Sequence, residues 1–271
     1  MEVPMIQDIA PAVFHNEFHP RPPKGKDILL DFKGHEIALK KDGGFFTWPL
    51  AGVTDPLWLF DIDDTGIFLS DLSSFAPDYR SIFEMRYVRP LKDAFLAVTA
   101  WHLSCWYNDN RFCGSDGTRL VPSKTERALQ CPHCGRIIYP RINPAVIVAI
   151  INDEDEILVT RYANGPYRRD ALVAGYCEIG ETLEDTVHRE VKEETGLDVD
   201  ELHYYKSQPW GLSGSLLAGF WCRTHGHREI RLQRDELDRA VWRRRTDTFN
   251  LNDNPSLTAE MIHVFQEGGY R

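Results

Sequence analysis

Three glutamates that share one face of a predicted helix are the residues of this chain best suited to chemistry. Glu190, Glu193 and Glu194 stand at positions i, i+3 and i+4, so a helix would bring their side chains together. Like charges this close repel one another, and a hard divalent cation would remove the repulsion because Mg²⁺ prefers carboxylate oxygens. The pattern predicts a divalent-metal site or, on the charges alone, an acidic helix face in contact with solvent.

A helix with defined ends is expected to position these glutamates. An apolar stripe repeats at every fourth residue, at Leu183, Val187 and Val191. Thr182 and Asp185 form a predicted capping pair at the start of the helix, and Gly196 is a predicted stop. We therefore predict a helix from about Leu183 to Thr195.

The residues around the helix complete a longer motif. It reads Gly175, five residues, Glu181, seven residues, and then the run from Arg189 to Leu197. At every defining position this stretch resembles the Nudix box. The resemblance implies a Nudix fold, a mixed β-sheet between helices with the motif at the active site. It also implies hydrolysis of a nucleoside diphosphate linked to another group.

The same resemblance implies roles for individual residues. Glu190 and Glu194 would bind Mg²⁺ or Mn²⁺ together with the backbone carbonyl of Ala174. Glu193 would be a further ligand or the base that activates water. Arg189 would orient a glutamate through a charge-assisted hydrogen bond. Two interpretations of Glu236 stay open, a late metal ligand and a surface carboxylate. The predicted catalytic residues are Arg189, Glu190, Glu193 and Glu194.

Clustered cysteines predict a second metal site. Cys131-Pro-His-Cys134 is half of a zinc-ribbon signature. The other half reads Cys113-Gly-Ser-Asp116, with aspartate where a second cysteine belongs. Two interpretations stay open: a Cys₃Asp zinc site, weaker than one with four cysteines, and a ribbon that has lost its metal and is held by packing.

A ribbon directly before a Nudix box resembles the NADH pyrophosphatases of this superfamily. Ser207-Gln208-Pro209-Trp210, with Ser215, matches their Ser-Gln-Pro-Trp-Pro-Phe-Pro-x-Ser, but Gly211–Ser213 replace Pro-Phe-Pro. This departure weakens the expectation of a strict preference for NAD(H) more than it weakens the expectation of hydrolysis. The resemblance implies substrate contacts at Glu126, Tyr139, Tyr176, Gln208, Pro209, Trp210, Ser215 and Ala259.

One short motif supports two interpretations. The apolar run 57–60 is followed by Asp61-Ile-Asp63-Asp64-Thr65, the pattern of the nucleophile in haloacid-dehalogenase phosphatases. Asp, Thr and Gly are also typical of hairpin turns. We favour the hairpin turn, because residues 67–72 are typical of a further strand.

The apolar patterns predict strands and helices in an α+β fold, which we divide into three segments. Together with the resemblance they indicate a mixed N-terminal domain (1–109), a zinc-ribbon-like segment (110–139) and a catalytic Nudix domain (140–271). In the first, we predict a hairpin of residues 27–32 and 36–40, a strand at 57–60 and a helix at 93–107. In the third, we predict strands at 145–151, 156–161, 217–222 and 240–242, and a last helix at 257–267.

Net charge and hydropathy argue against two classes of function, general nucleic-acid binding and membrane insertion. The net charge of −10 over 271 residues gives no general attraction to nucleic-acid backbones or anionic membranes. No apolar run approaches the roughly 18 residues of a membrane span, and residues 1–4 do not begin a signal peptide. We expect a cytoplasmic protein with reduced cysteines and no membrane partner, and the resemblance implies a homodimer.

The predicted reaction is hydrolysis of the pyrophosphate bond of NAD(H) to nicotinamide mononucleotide and AMP. One alternative is a Nudix pyrophosphatase of other range, acting on ADP-ribose, dinucleoside polyphosphates or NAD-capped RNA. Another is a non-catalytic nucleotide sensor. The intact set of three glutamates favours an enzyme.

Overall fold

The computed structural model describes residues 3–164, 169–226, 229–251 and 255–270. They form two compact units. The N-terminal unit contains Asp8–Ile142 and Gly211–Gly214, and the C-terminal unit contains the described residues of Met1–Gln7, Asn143–Trp210 and Ser215–Arg271. The three-domain division expected from the sequence stays a prediction.

The N-terminal unit is built from short strands and one long helix. Its elements are β1 (Phe14–His15), β2 (Ile28–Leu30), β3 (Phe32–Lys33), β4 (Glu36–Leu39), β5 (Phe46–Thr47), β6 (Leu57–Ile62), β7 (Thr65–Leu69), β8 (Asp78–Ser81), α1 (Leu91–Asp109), β9 (Val121–Pro122), β10 (Leu129–Gln130) and β11 (Ile137–Ile138). A five-stranded sheet has the order β1-β6-β7-β2-β5, and two three-stranded sheets have the orders β3-β4-β8 and β11-β10-β9. The helix predicted at 93–107 is confirmed as α1.

The first predicted hairpin is correct only in its second half. β3 and β4 pair antiparallel around Gly34, but β2 pairs in parallel with β7 in a different sheet. Asp31 stands at the break, where its carboxylate accepts hydrogen bonds from the Leu72 amide and the Tyr79 hydroxyl. These contacts hold the chain where it passes from one sheet to the other.

The Asp-rich motif at 61–65 is a hairpin turn, as favoured. β6 and β7 pair antiparallel, and Asp63 takes a φ of 53° between them. The Asp61 carboxylate accepts hydrogen bonds from the Trp58 indole at 2.9 Å and from Arg21 at 3.2 Å. This carboxylate therefore has a structural role in the hairpin.

The C-terminal unit is a mixed sheet between two helices. Its elements are β12 (Asn143–Ile151), β13 (Ile157–Tyr162), β14 (Val173–Tyr176), α2 (Leu183–Thr195), β15 (Asp200–Trp210), β16 (Ser215–Arg223), β17 (Leu237–Arg243) and α3 (Leu257–Glu267). The sheet order is β15-β16-β12-β13-β17, with β14 on β12. The first, third and fourth predicted strands and both predicted helices are confirmed, and the second is confirmed with a shift of one residue.

The central strand β12 explains why the unit has two cores. Its residues alternate between the faces of the sheet. Val146, Val148 and Ile150 pack in a cluster with α2 residues, whereas Ile147, Ala149 and Ile151 pack in a cluster with α3 residues. β12 is therefore buried on both faces of the sheet.

The caps of α2 are those expected from its sequence. The Thr182 hydroxyl accepts a hydrogen bond from the Asp185 amide at 3.0 Å, and the Asp185 carboxylate accepts one from the Thr182 amide at 3.1 Å. Gly196 ends the helix with a φ of 73°. The helix is thereby fixed at both ends, which fixes the directions of its side chains.

Strand β15 was not predicted from the sequence. Ser207–Trp210 belong to this edge strand, paired with β16, and only Gly211–Gly214 form the turn that follows. Most of the strand is exposed, so no clear apolar alternation marks it. Pro209 is tolerated because an edge strand leaves one row of amides unpaired.

A segment from near the start of the chain completes the C-terminal unit. Met5 is buried in the cluster that contains α3 residues. The Ile6 amide donates to the Pro255 carbonyl at 3.0 Å, and the Gln7 side chain donates to the Ser207 carbonyl at 3.3 Å. We call residues 3–7 the N-terminal strap.

Among the described residues, no helix is both long and apolar enough to cross a membrane.

Candidate active site and candidate zinc site

The most unusual carboxylate of the C-terminal unit is Glu194. Its side chain is 2% exposed, and its Oε2 atom has no hydrogen-bond partner among the described residues. Burial raises the pKa of Glu194 to about 8, and the charges of Glu190 and Glu236 add to this. A buried carboxylate oxygen without a partner is costly unless a cation or a proton satisfies it.

Arg189 links the other acidic groups of the motif. Its guanidinium donates to both oxygens of Glu181, at 2.6 and 2.9 Å. It also donates to Glu190 at 2.7 Å and to Glu193 at 3.1 Å, and to the Tyr176 carbonyl at 2.9 Å. One arginine therefore orients three carboxylates and ties α2 to the end of β14.

The Glu190 carboxyl group lies directly against the backbone of Gly175. A side-chain carbon on Gly175 would overlap this carboxyl group, so the motif needs glycine here for space. Burial raises the pKa of Glu190, Arg189 opposes this, and the charges of Glu193 and Glu236 add to it. The glycine and the glutamate thus form one packed arrangement.

A segment beside the end of α2 brings Glu236 to the same region. The Arg231 amide donates to the Thr195 carbonyl at 2.8 Å, and the Gln233 amide donates to the Glu194 carbonyl at 3.1 Å. These bonds satisfy carbonyls that a helix end leaves without partners. The charge of Glu236 raises the pKa values of both Glu190 and Glu194, which places its carboxylate in their field.

These residues fit a divalent cation. Among the described residues Oε2 of Glu194 is buried without a partner, and burial, with the neighbouring carboxylates adding to it, raises the pKa values of Glu190 and Glu194, so a bound cation would stabilise their charged forms. All the donors are oxygens, which suits a hard cation such as Mg²⁺ or Mn²⁺. Ala174 lies in β14 beside them, and a backbone hydrogen bond from it reaches the Glu194 carboxylate.

The cysteine cluster of the N-terminal unit forms a compact donor set. The ligand atoms of Cys113, Asp116, Cys131 and Cys134 all lie within 4.8 Å of one another. Cys113 and Cys131 are buried, the cysteines are free, and the Cys134 amide points at the Cys131 sulfur at 3.4 Å. Three thiols and a carboxylate around one point fit zinc.

Family models match both sites. Residues 108–139 match the NADH pyrophosphatase zinc ribbon domain, and residues 141–265 match the NUDIX domain. The chain carries a Nudix domain. With the ribbon before it, the predicted fold class, a Nudix fold in a mixed α+β chain with a zinc ribbon, is confirmed.

The chain is also similar to known proteins over part of its length. The chain is 41% identical over 154 residues to the NAD-capped RNA hydrolase NudC of Escherichia coli O1:K1 / APEC, and equally so to that of strain SMS-3-5 / SECEC. Each match covers 56% of this chain and 58% of the relative. A Nudix hydrolase structure from Nitrosomonas europaea, 17% identical, covers 58% of this chain and 91% of that chain with a TM-score of 0.45.

Around the Nudix motif, the structure groups several of the predicted substrate residues. The Ser215 hydroxyl donates to the Tyr176 hydroxyl at 3.3 Å, and half of the Tyr176 side chain is exposed, so its ring is available to a base. Pro209 and Trp210 pair with the start of β16, which Ser215 begins. Ala259 is buried in the first turn of α3.

Gln208 stands out among these residues because its side chain is fully buried. Its amide oxygen accepts the Leu257 amide at 2.8 Å, and its amide nitrogen donates to the carbonyl of Pro255 at 3.0 Å and the side chain of Gln7 at 3.4 Å. In this arrangement Gln208 braces β15 against the start of α3 and the N-terminal strap.

Glu126 and Tyr139 belong to the N-terminal unit, where they contact each other. The Tyr139 hydroxyl donates to Glu126 at 3.3 Å, and the Tyr139 side chain is 56% exposed. Both side chains are available at the surface of their unit.

Sequence reasoning missed three features of the C-terminal unit. It gave no role to Glu181, which precedes the N-cap of α2, so no helical spacing marks its pairing with Arg189. It did not find Gln7. It also missed Glu260, 2% exposed in α3, which accepts hydrogen bonds at 2.8 Å from Lys206 and from the Tyr205 hydroxyl; no local pattern marks such a buried pair.

Proposed function

We propose that this protein hydrolyses the pyrophosphate bond of NAD(H), giving nicotinamide mononucleotide and AMP. The observation that carries the proposal is the buried, unpartnered Glu194 carboxylate within the acidic cluster organised by Arg189. The zinc ribbon model, described for NADH pyrophosphatases, supports the substrate class. So do the relatives, which are named as hydrolases of NAD-capped RNA.

In this proposal Glu190, Glu193, Glu194 and Glu236, with the Ala174 carbonyl, hold Mg²⁺ or Mn²⁺. The cation supplies positive charge that neutralises the diphosphate and makes a water molecule more acidic. Arg189 keeps Glu190 and Glu193 in place during the reaction. Glu193, the most exposed of the three helix glutamates, is free to accept the proton of the attacking water or to serve as a further ligand.

The substrate residues follow from the same proposal. Tyr176 offers an aromatic face for a base, and Ser215 holds the Tyr176 hydroxyl. Pro209, Trp210 and Gln208 shape the strand beside them, and Ala259 lies at the start of α3. We propose that Glu126 and Tyr139 also contact the substrate. We also propose a zinc ion bound by Cys113, Asp116, Cys131 and Cys134, a homodimer and a cytoplasmic location.

A second candidate substrate is NAD-capped RNA, favoured by the activity that the name of the relatives states. The altered turn Gly211–Ser213 motivates ADP-ribose and dinucleoside polyphosphates as further substrates. Gly211 packs against α1 so closely that a side-chain carbon would lie 2.6 Å from the Val98 carbonyl oxygen. The proline that the family has at this position would not fit, so the turn of this chain has its own shape.

The test is turnover of NADH, NAD⁺, ADP-ribose, diadenosine polyphosphates and NAD-capped RNA with Mg²⁺ or Mn²⁺, with products separated by chromatography. We expect mononucleotide plus AMP from NADH, with activity reduced at least about a hundredfold in Glu194→Gln, since loss of an essential charged group costs several kcal/mol. Glu184→Gln, an exposed glutamate on the same helix, is the matched control and should retain activity.

Three results would change the assignment. If another compound is cleaved and NADH is left intact, the assignment as a pyrophosphatase stands and the proposed substrate is wrong. Preference for capped RNA over free NADH would select the second candidate. Absence of hydrolysis for every compound at saturating cation would favour the nucleotide sensor.

A further inference from the structure

The two halves of the zinc site have the same backbone. In the first, the Gly117 amide donates to the Cys113 carbonyl at 2.9 Å, and in the second the Gly135 amide donates to the Cys131 carbonyl at 3.0 Å. Gly117 and Gly135 also share the left-handed conformation, with φ values of 73° and 78°. Asp116 therefore occupies in the first turn the place that Cys134 occupies in the second.

The Asp116 carboxylate is held on both of its oxygens. Oδ1 accepts the Thr118 amide at 2.9 Å, and Oδ2 lies 3.1 Å from Nδ1 of His133. His133 belongs to the opposite turn, between Cys131 and Cys134, and its side chain is 73% exposed, whereas that of Asp116 is 19% exposed. An exposed histidine thus reaches across the site to a half-buried carboxylate.

We propose that His133 is a positioning residue for Asp116 as a zinc ligand. The inference rests on the zinc binding proposed above. A hydrogen bond to one oxygen of a ligating carboxylate fixes its orientation and leaves the remaining lone pairs for the metal, and such outer partners change metal affinity. The cysteine ligands need no such partner, because backbone amides already serve Cys131 and Cys113.

The difference between thiolate and carboxylate ligands explains why Asp116 needs a positioning residue. Zinc holds thiolate sulfur strongly, and a single carboxylate oxygen on a rotatable side chain is a weaker donor. A carboxylate that turns away would open one side of the site. His133 restricts that rotation from the opposite turn, so it joins the two turns through Asp116 rather than through the metal alone.

The experiment measures zinc affinity of the full chain by competition with a chromophoric chelator. We expect His133→Ala to lower zinc affinity about 10- to 100-fold, the range seen when an outer partner of a ligand is removed. Asp116→Cys should raise the affinity, and cobalt-loaded protein should then gain thiolate-to-cobalt charge-transfer absorption. His19→Ala removes an exposed histidine outside the ribbon and should leave affinity unchanged.

The decisive comparison places His133→Ala in the Asp116→Cys background. With no carboxylate to hold, loss of the histidine should leave zinc affinity within about twofold. An equal loss in both backgrounds would mean that His133 merely supports the fold of the turn, which would overturn the proposal. So would an unchanged affinity of His133→Ala in the natural background.

The outcomes separate this inference from the proposals on which it depends. If the natural protein binds no zinc, the zinc proposal and the inference both fail, while pyrophosphate hydrolysis remains open. If zinc binds and NADH is not cleaved, only the proposed reaction fails. Because the measurement is metal affinity, it does not depend on turnover.

Discussion

Single residues set the geometry of the acidic cluster, and the glycine of the motif is the clearest case. Gly175 leaves space for the Glu190 carboxyl group, and Arg189 holds that carboxyl group from the other side. The sequence shows both residues and their spacing. It does not show that the glycine and the glutamate touch, because the contact joins β14 to α2.

We predict that Gly175→Ala lowers kcat/KM by about a hundredfold. The added methyl group would push the Glu190 carboxyl group out of place, and a displacement of about 1 Å at a catalytic group can cost this much. Steady-state kinetics with NADH and thermal unfolding would be measured together. Full activity with an unchanged unfolding midpoint would show that the methyl group is accommodated and that the close packing is not needed.

A second residue-scale prediction concerns Asp27 of the N-terminal unit. Its side chain is 3% exposed and accepts from Arg21 at 2.6 Å and from the amides of Lys24 and Gly66. Burial by itself raises the pKa of Asp27, but these hydrogen bonds outweigh it and the net pKa is lowered. Its stabilising effect is therefore complete above its ordinary value of 3.8 and is lost as pH falls through the lower folded value.

Asp27→Asn should lower the free energy of unfolding at pH 7 by about 2–3 kcal/mol, and the difference from the natural protein should shrink below about pH 3.8. Urea unfolding at pH 7 and pH 3 measures both values. Asp78→Asn, which removes an exposed carboxylate paired with Arg80, is the control and should change stability by less than about 1 kcal/mol. A difference independent of pH would contradict the argument.

At the scale of elements, helices followed from the sequence better than strands did. α2 has a four-residue apolar repeat and caps at both ends, so its limits could be predicted. β15 could not, because an exposed edge strand shows no clear alternation and contains Pro209. The break between β2 and β3 was also missed, since it depends on contacts made by Asp31 to residues some 40 positions away.

One side chain connects the ribbon to the first sheet of the N-terminal unit. A register shift between Trp58 and Phe60 leaves Leu59 without a partner across the ladder, and the Leu59 carbonyl accepts a hydrogen bond from Arg127. The Arg127 guanidinium also lies 5.3 Å from the centre of the Trp58 ring. The bulge in β6 therefore exposes the Leu59 carbonyl to a hydrogen bond from Arg127 of the ribbon.

We predict that Arg127→Ala lowers the free energy of unfolding of the N-terminal unit by about 2–3 kcal/mol, because it leaves a buried carbonyl unsatisfied and removes packing. Arg127→Lys should lower the free energy of unfolding less, since an ammonium can still donate to the Leu59 carbonyl but lacks the planar guanidinium fork. Denaturant unfolding followed by tryptophan fluorescence would compare the two. Equal losses would mean that a lysine donor cannot replace the guanidinium at all, which would contradict the expected ranking; no loss in Arg127→Lys would mean that the guanidinium shape contributes nothing.

At the scale of the whole molecule, chain order and spatial order differ. The N-terminal strap belongs to the C-terminal unit, although the next residues belong to the N-terminal unit. Local patterns cannot reveal this, because Met5 packs in a cluster whose other members begin at Ile147 and Gln7 contacts Ser207, 200 positions away.

Met5→Ala and Ile9→Ala provide a matched test, because both residues are buried and only four positions apart. We predict that Met5→Ala destabilises the C-terminal unit by about 2–4 kcal/mol and that Ile9→Ala affects the N-terminal unit instead. Hydrogen exchange read by mass spectrometry would locate each loss. If both variants loosen the same unit, the assignment of the strap is wrong.

The strap also sets an order of events during synthesis. Residues 8–142 leave the ribosome early and can fold as each stretch appears, whereas Ile6 and Gln7 emerge before them and must wait for Ser207 and Pro255. At about 5–20 residues per second the wait is roughly 10–50 seconds. During that interval the strap lacks its native partners, and nascent-chain binding factors could bind it. The contacts of the strap are therefore among the last to form.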